Sequence, residues 1–475
     1  MSTTLTPDLC VIGAGSGGLS VAAGAVQMGA SVVLIEQGRM GGDCLNTGCV
    51  PSKSLLAAAH AARRAREAAR FGIAAALTID FAAVRRHVDG VIASIAPHDS
   101  VERFENLGVT VIAGRATFTG PAAVEAAGRV IQARRFVIAT GSQPAMPPIP
   151  GLATASVLTN ENIFEISELP KRLLIIGGGA IGCELADAFA GLGAAVTVIE
   201  AAEILGQEDP DLVAGVRKRL TTSGVAVLEH TTVELVESKP AGLVVKVRSG
   251  SGGPAALEGT HLLVAAGRRA KINGLGLDAA GVAYDTSGIK VDHRLRTTNS
   301  KIFAIGDCIG GAQFTHVANY HAGLVIRQAL FRLPAKVDDR AIPRVIYTDP
   351  ELAQVGLTAQ AARQSHGDQI RVLTANFYDN DRARAEAATD GLIKVVTTRR
   401  GRILGAGIVG RNAGDLIQPW VLAISKGLNI SAVAGVIAPY PTFGEINKRA
   451  AGSFFTPTLF GERTKAIVRF LARFG

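Results

Sequence analysis

Four consecutive apolar residues, Leu9-Cys10-Val11-Ile12, stop at the turn Gly13-Ala14-Gly15-Ser16-Gly17-Gly18. An amphipathic stretch then runs to Met28, and a second apolar run, Val32-Val33-Leu34-Ile35, ends on Glu36. Short apolar runs bounded by glycine predict strands, and the longer periodic stretch between them predicts a helix. The same pattern returns as Leu173-Leu174-Ile175-Ile176, Gly177-Gly178-Gly179-Ala180-Ile181-Gly182, a helix to about Leu192, and Val196-Thr197-Val198-Ile199 before Glu200. One such turn is weak evidence, but two in the same register imply an internal duplication. Each copy is followed by a further apolar strand ending in small residues, Phe136-Val137-Ile138-Ala139-Thr140-Gly141 and Leu262-Leu263-Val264-Ala265-Ala266-Gly267. A last fragment, Ile302-Phe303-Ala304-Ile305-Gly306-Asp307, delivers a carboxylate suited to hydrogen-bonding a polyol chain and is expected to return to the first unit.

The turns carry chemistry. Gly13 permits the tight turn, Gly15 lets the backbone approach a pyrophosphate, and Gly18 allows close helix–strand packing, while the helix N-terminus offers N–H groups and positive dipole to the phosphates. Glu36, at the end of the second strand, can accept both hydroxyls of an adenosine ribose. Glu200 has the equivalent place in the second copy. A carboxylate there accepts a 2′-hydroxyl and repels a 2′-phosphate, and Ala201 and Ala202 offer no arginine to hold such a phosphate, so NADH is expected over NADPH.

Between the copies lies Gly41-Gly42-Asp43-Cys44-Leu45-Asn46-Thr47-Gly48-Cys49-Val50-Pro51-Ser52-Lys53. A structural bridge across so short a loop would remove little entropy from the unfolded chain, so the pair Cys44 and Cys49 reads as a redox-active disulfide. Helical spacing alone would put the two on different faces, and bridging them needs a distorted turn that brings their Cα atoms within roughly 7 Å. Spacing alone leaves two unrelated buried thiols as the alternative.

With these motifs in place, the chain resembles, nearly end to end, the flavoprotein disulfide reductases, which include dihydrolipoamide dehydrogenase, glutathione reductase and mercuric reductase. The resemblance implies an α/β chain with two Rossmann-like domains and an α+β dimerisation domain. The FAD domain would comprise residues 1–148 and 276–340, the NAD(P)H domain 149–275, and the C-terminal domain 341–475, whose opening is similar to Tyr347-Thr348-Asp349-Pro350-Glu351-Leu352-Ala353-Gln354-Val355-Gly356-Leu357-Thr358. FAD would be held by Gly13, Gly15, Ser16, Gly17, Gly18 and Glu36, by Gly42, Asp43 and Gly48, by Gly114 and Ala116, by Thr140, Gly141 and Ser142, and by Gly306, Asp307, Phe314 and Thr315. The nicotinamide cofactor would meet Gly177, Gly179, Ala180, Ile181, Gly182, Glu200 and Gly267. The resemblance makes Cys49 the thiol beside the flavin and Cys44 the thiol that attacks the substrate. Lys53, one helical turn on, would stabilise charge under the flavin and pair with Glu184.

One position departs from that pattern. Dihydrolipoamide dehydrogenase and glutathione reductase carry a His-Pro-Thr-x-x-Glu stretch whose histidine, from the partner subunit, exchanges a proton with the substrate thiol. Here the segment is Tyr440-Pro441-Thr442-Phe443-Gly444-Glu445. A phenol near pKa 10 does not serve as the base an imidazole near 6.5 would. Glu445, whose matched role is to orient that base, is retained. The Pro-Tyr pair is closer to mercuric reductase, although the vicinal cysteine pair at the end of those enzymes has no counterpart here, since no cysteine follows Cys308. The expected enzyme is therefore a homodimeric FAD-dependent oxidoreductase of mercuric-reductase-like type, passing electrons from NADH to a disulfide or soft-metal acceptor, with no resident metal site. The alternatives are dihydrolipoamide dehydrogenase and, in another class, a flavin-bound redox sensor or membrane-docked subunit.

Bulk properties change this picture little. The 475 residues suit three domains. Of the five cysteines, Cys10, Cys183 and Cys308 fall on predicted strands or helices and are expected to be inert core thiols. No signal-peptide pattern precedes Leu9 and no apolar run reaches the roughly 18 residues of a membrane span, so a cytoplasmic enzyme is expected. A formal charge of +9 raises nucleic acid as a partner, but no aromatic–basic interleaving accompanies it. The basic cluster Arg63, Arg64, Arg66 and Arg70 is expected to be a solvated helix face. From Glu462 to Phe474 a helical stripe of Ile467, Leu471 and Phe474 runs among Arg and Lys. It is expected to pack on its own domain or on the partner subunit, with an anionic membrane surface as the alternative.

Overall fold

The computed structural model describes residues 4–250 and 252–474. Five helices carry the argument: α1 (Ser16–Gln27), α2 (Cys49–Glu67), α3 (Ala180–Gly191), α4 (Thr315–Ala329) and α5 (Glu462–Leu471).

The first glycine turn sits at the centre of a five-stranded parallel sheet. Leu9–Ile12 lies between Val32–Glu36 and Arg135–Ile138; Thr110–Ala113 forms one edge, and Ile302–Ala304 closes the other by pairing with Arg135–Ile138. The late fragment therefore does return to the first unit. Helices α1 and α4 lie together against this sheet, where Leu19, Val21 and Ala22 meet Ala322, Leu324 and Val325. The second turn follows Arg172–Ile176, which is flanked by Ala195–Ile199 and His261–Val264, with Ala226–Leu228 outside. A three-stranded antiparallel sheet, Thr231–Lys239, Gly242–Ser249 and Gly253–Gly259, is attached to this unit. Both core sheets read as continuous apolar strands because both of their faces are covered.

The remainder is a five-stranded antiparallel sheet in the order Pro343–Ile346, Glu351–Gly356, Ile403–Gly410, Leu392–Thr398, Ile370–Asn376. Its core gathers Phe377, Trp420 and Ile446, and the Trp420 indole N–H donates to Asn447 at 2.8 Å. Two Rossmann-like units plus this α+β unit make the expected fold class. Among the described residues no helix is long and apolar enough to cross a membrane.

Helices α2 and α3 pack side by side and join the first unit to the second. Leu55, Leu56 and Ala59 share one buried cluster with Leu185, Ala188 and Phe189. At Gly191 a Cβ would come within 2.9 Å of the Ala59 Cβ, so the crossing is closer than a larger side chain allows.

Two sequence expectations are corrected. Arg63 is buried, donating to Asp187 and, at 3.2 Å, to Asp349, while Arg66 donates to the Gly191 carbonyl; only part of this basic cluster is solvated. The acidic partners come from elements over a hundred residues away, which a local charge pattern does not reveal. In α5 no residue is buried, so the helix does not pack its stripe on its own domain.

Candidate active site

Both turns adopt the geometry their glycines permit. Gly13 and Gly177 have φ of +103° and +106°, and a Cβ at either would meet the carbonyl of Ala139 or Ala265 at 2.4 Å. Gly18 and Gly182 press on the carbonyls of Gly13 and Gly177, where a Cβ would come within 1.8 and 2.0 Å. At Gly15 and Gly179, by contrast, a Cβ would meet nothing within 4 Å, which leaves backbone open to the cavity. The two carboxylates are set alike. Glu36 accepts from Ala14 N at 2.6 Å and Gly38 N at 2.7 Å, and Glu200 accepts from Gly178 N at 2.7 Å and Ala202 N at 2.9 Å.

One cavity of about 1970 Å³ runs between the two turns. It is lined by most of the residues singled out in the sequence: Gly13, Gly15, Ser16, Gly17, Glu36, Gly42, Asp43, Gly48, Thr140, Gly141, Ser142, Gly306, Asp307, Phe314 and Thr315 from the first unit, and Gly177, Gly179, Ala180, Ile181, Glu184, Glu200 and Gly267 from the second. Gly18 and Gly182 act behind the lining, through packing. Gly114 and Ala116 do not reach the cavity; Ala116 is buried in the apolar cluster beneath the first sheet.

The lining fits a long dinucleotide. Exposed backbone at Gly15 and the N-terminus of the 12-residue α1 face it, and at Gly42 a Cβ would come within 2.7 Å of the Gly15 Cα, so the loop that carries the thiols lies close over the turn. Asp307 accepts from Ser142 at 2.6 Å, and burial pushes its carboxyl up, offsetting the Ser142 hydrogen bond and the nearby Arg268.

Cys44 ends up beside Cys49 because the short helix Gly42–Asn46 breaks at Thr47 and Gly48 before α2 begins. Both thiols are free and within hydrogen-bonding reach of one another. The hydrogen bond from Cys44 is the main cause that brings the Cys49 thiol down to about 6, with Lys53 and the Thr315 hydroxyl adding to it against burial. The same interaction pushes Cys44 up. The two shifts run in opposite directions, so the reduced pair favours one shared proton, with Lys53 on the Cys49 side to offset the negative charge. Thr315 Oγ1, at the start of α4, lies 3.7 Å from Cys49 Sγ.

Lys53, in the first turn of α2, puts Nζ 2.6 Å from Glu184 Oε2 and 4.4 Å from the centre of the Tyr347 ring. The other Glu184 oxygen accepts the Tyr347 N–H at 3.0 Å. The chain therefore brings Cys44, Cys49, Lys53 and Glu184 together as anticipated. It does not bring Tyr440 or Glu445 there. Tyr440 is 71% exposed and donates to Asp381 at 3.1 Å, and Asp381 pushes the phenol above its ordinary value; Glu445 accepts from Thr442 N at 3.3 Å. Tyr440 faces outward, and Glu445 is half-buried.

Sequence reasoning missed a second set. Arg268 lies 2.8 Å from Asp43 and donates to Ser142 at 2.7 Å, while Asn160 donates to Asp43 at 3.0 Å. These residues tie the redox loop to the second unit. Below the Lys53–Glu184 pair, Arg63 and His60 of α2 meet Asp187 of α3, which also accepts the Asp349 N–H at 3.1 Å. The available signal was Glu184 and Asp187, two acids three positions apart on an otherwise apolar helix.

Comparison with known proteins agrees with this geometry. The profile of the pyridine nucleotide-disulphide oxidoreductases matches residues 7–322, and that of their dimerisation domain matches 342–451. A mercuric reductase of Streptomyces lividans is 36% identical over 94% of this chain and 96% of its own length; a dihydrolipoyl dehydrogenase of Geobacillus stearothermophilus is 37% identical over 94% and 95%. The HOCl-induced flavoprotein disulfide reductase RclA of Escherichia coli, solved also as a Cu(II) complex, superposes with a TM-score of 0.84 at 30% identity, covering 94% of this chain and 99% of RclA. The family uses FAD and NAD(P)H, and its dimerisation domain supports a homodimer. This chain belongs to the pyridine nucleotide-disulphide oxidoreductase family of enzymes.

Proposed function

We propose that this enzyme takes electrons from NADH, with FAD as cofactor, reduces a Cys44–Cys49 disulfide, and delivers the electrons to a soft divalent metal ion, as a mercuric-reductase-like enzyme. Bound in the cavity, the flavin would relay the hydride's electron pair from nicotinamide to disulfide. Gly15, Ser16 and Glu36 would hold its adenosine and phosphates, with Thr140 and Asp307 nearer the ring and its polyol chain. Glu200 would hold the ribose of NADH.

The reduction balances as NADH and disulfide going to NAD⁺, the Cys44 thiol and the Cys49 thiolate. Lys53 keeps positive charge beside that thiolate, and Glu184 fixes where the ammonium sits. The ion then bonds sulfur, displaces the Cys44 proton, takes two electrons and leaves as neutral metal while the disulfide re-forms and one proton is released.

What supports the metal over a thiol substrate is Tyr440, which stands where the resemblance puts a histidine base and whose phenol is turned to Asp381 at 3.1 Å, together with a Cys44 thiol that Cys49 and burial push up. Thiol exchange needs the thiol proton removed by a base, whereas a soft ion bound to sulfur drives its deprotonation outright. The test is anaerobic NADH followed by alkylation and mass mapping, together with turnover on mercuric ion, lipoamide and glutathione disulfide. NADH-dependent labelling of Cys44 and Cys49 with turnover on the ion is expected. Equal labelling without NADH would remove the redox disulfide, and strong lipoamide turnover at neutral pH would make the protein a dihydrolipoamide dehydrogenase.

A further inference from the structure

The last helix presents an apolar face that nothing in this chain covers. Ile467, Val468, Phe470 and Leu471 of α5, with Phe474 just beyond it, are each more than half exposed, and Leu459 and Phe460 before it extend the surface. Spacing of four and then three residues sets Ile467, Leu471 and Phe474 on one stripe, and the Phe470 and Phe474 rings meet edge to face at 5.2 Å. A continuous apolar patch of this kind marks a contact surface.

Charge identifies the occupant. By helical rotation Lys465 and Arg469 lie opposite the stripe, both beside the single acid Glu462 at 2.9 and 3.8 Å, with Arg463 toward the apolar side and Arg473 just past the helix end, so the cations outnumber the acid. An apolar face with a cationic back is the pattern of a helix lying in the interface of an anionic bilayer, its side chains sunk among the acyl chains and its cations at the headgroups. Two further observations favour lipid over the second subunit. The match to the family's dimerisation domain ends at residue 451, before this helix begins, and the whole chain carries +9, which suits a negative surface. The helix is nonetheless anchored: Phe454 and Phe455 pack against the C-terminal core, and Arg371 lies 4.1 Å over the Phe454 ring.

We propose that α5 docks the enzyme peripherally on anionic membranes, with Ile467, Leu471 and Phe474 inserted and Lys465, Arg469 and Arg473 at the headgroups. The inference is independent of the electron acceptor. The test is co-sedimentation of the full-length holoenzyme with vesicles of phosphatidylcholine alone or mixed in equal parts with phosphatidylglycerol. Binding to the mixed vesicles and not to the neutral ones is expected. Ile467→Asp/Leu471→Asp should abolish it, and Arg469→Gln/Arg473→Gln should weaken partitioning about thirty-fold, from the usual contribution of a basic residue near an anionic surface. Flavin content and oligomeric mass report folding in each variant and should not change. Failure of the unmodified enzyme to bind anionic vesicles, or binding indifferent to the Asp pair, overturns the proposal. Dissociation of the Asp-pair variant into folded monomers in light scattering would assign the stripe to the subunit contact and overturn it equally.

Discussion

Removing the Asp187 carboxylate should destabilise the protein and slow it at once. Asp187 is fully buried and binds Arg63, which is itself 5% exposed, lies 3.2 Å from His60 Nε2, and accepts the Asp349 N–H. Burial alone would raise its carboxyl, but the His60 and Arg63 interactions outweigh that and hold it below the ordinary carboxylate range. Asp187→Ala leaves the Arg63 guanidinium with only Asp349, its carbonyl at 3.3 Å and its 40%-exposed carboxylate at 3.2 Å, so the expected loss is about 3–5 kcal/mol, the usual consequence of unpairing a buried charge. Replacing both partners, as Arg63→Met/Asp187→Leu, should recover much of that loss, because no buried charge is then left alone. Since the folded carboxyl titrates below its unfolded value near 3.8, its contribution is complete above that pH and fades only as pH falls below about 4. Thermal melting read by circular dichroism and flavin release, at neutral pH and near pH 4, measures the loss. Activity should also fall at temperatures where the variant remains folded, because Asp187 lies one turn from Glu184 on α3 and Arg63 is on the helix that carries Cys49 and Lys53. An Asp187→Ala protein with unchanged melting and flavin retention would refute the reasoning.

Three other substitutions probe the site itself. Lys53→Met should move the midpoint of Cys49 alkylation in the reduced enzyme upward by about one pH unit or more, and Glu184→Gln should move it down, because the ammonium stabilises the thiolate and the carboxylate opposes it; unmoved pH profiles would show that the pair does not act on sulfur. Glu200→Ala should lower kcat/KM for NADH about tenfold, the equivalent of one charge-assisted hydrogen bond of roughly 1.5 kcal/mol, and the unmodified enzyme should prefer NADH over NADPH in the same assay; preference for NADPH would undo the reading of Glu200. Tyr440→His should raise lipoamide or glutathione-disulfide turnover by part of the roughly 10²- to 10⁴-fold that a placed base supplies, without changing thiol appearance on NADH addition. No gain in turnover would mean that this position does not face the substrate.

The parts of this molecule that are legible in its sequence are those whose cause is local. Gly13 and Gly177 must take positive φ, and Gly18 and Gly182 must lie against a carbonyl, so the duplicated turns show themselves as spaced glycines in the chain alone. The strands around them are uniformly apolar because parallel strands are covered on both faces, and their ends fall within a residue or so of the apolar runs. Long-range pairing leaves no such trace. Arg63 on a basic helix looks like any solvated arginine until α3 and the segment around Asp349 arrive, 124 and 286 residues later. Arg268 and Asn160 escape notice for the same reason, since each acts on Asp43 through tertiary contact alone.

Tyr440 is an intermediate case, and it shows where function is decided. Its identity is plain in the sequence, yet its phenol faces outward and binds Asp381, while the two thiols sit in a cavity that neither Tyr440 nor Glu445 lines. In a homodimer built through the domain that carries it, such a residue would, on the proposed reading, act on the other subunit's site. The groups around Cys49 come from α2, α3 and the start of α4 of one chain, whereas on the proposed reading the second subunit would choose what Cys44 meets. The interior and the outward residue fit that division: Cys44, Cys49, Lys53 and Glu184 follow the pattern common to the family, while Tyr440 departs from the histidine of dihydrolipoamide dehydrogenase and glutathione reductase and resembles mercuric reductase instead.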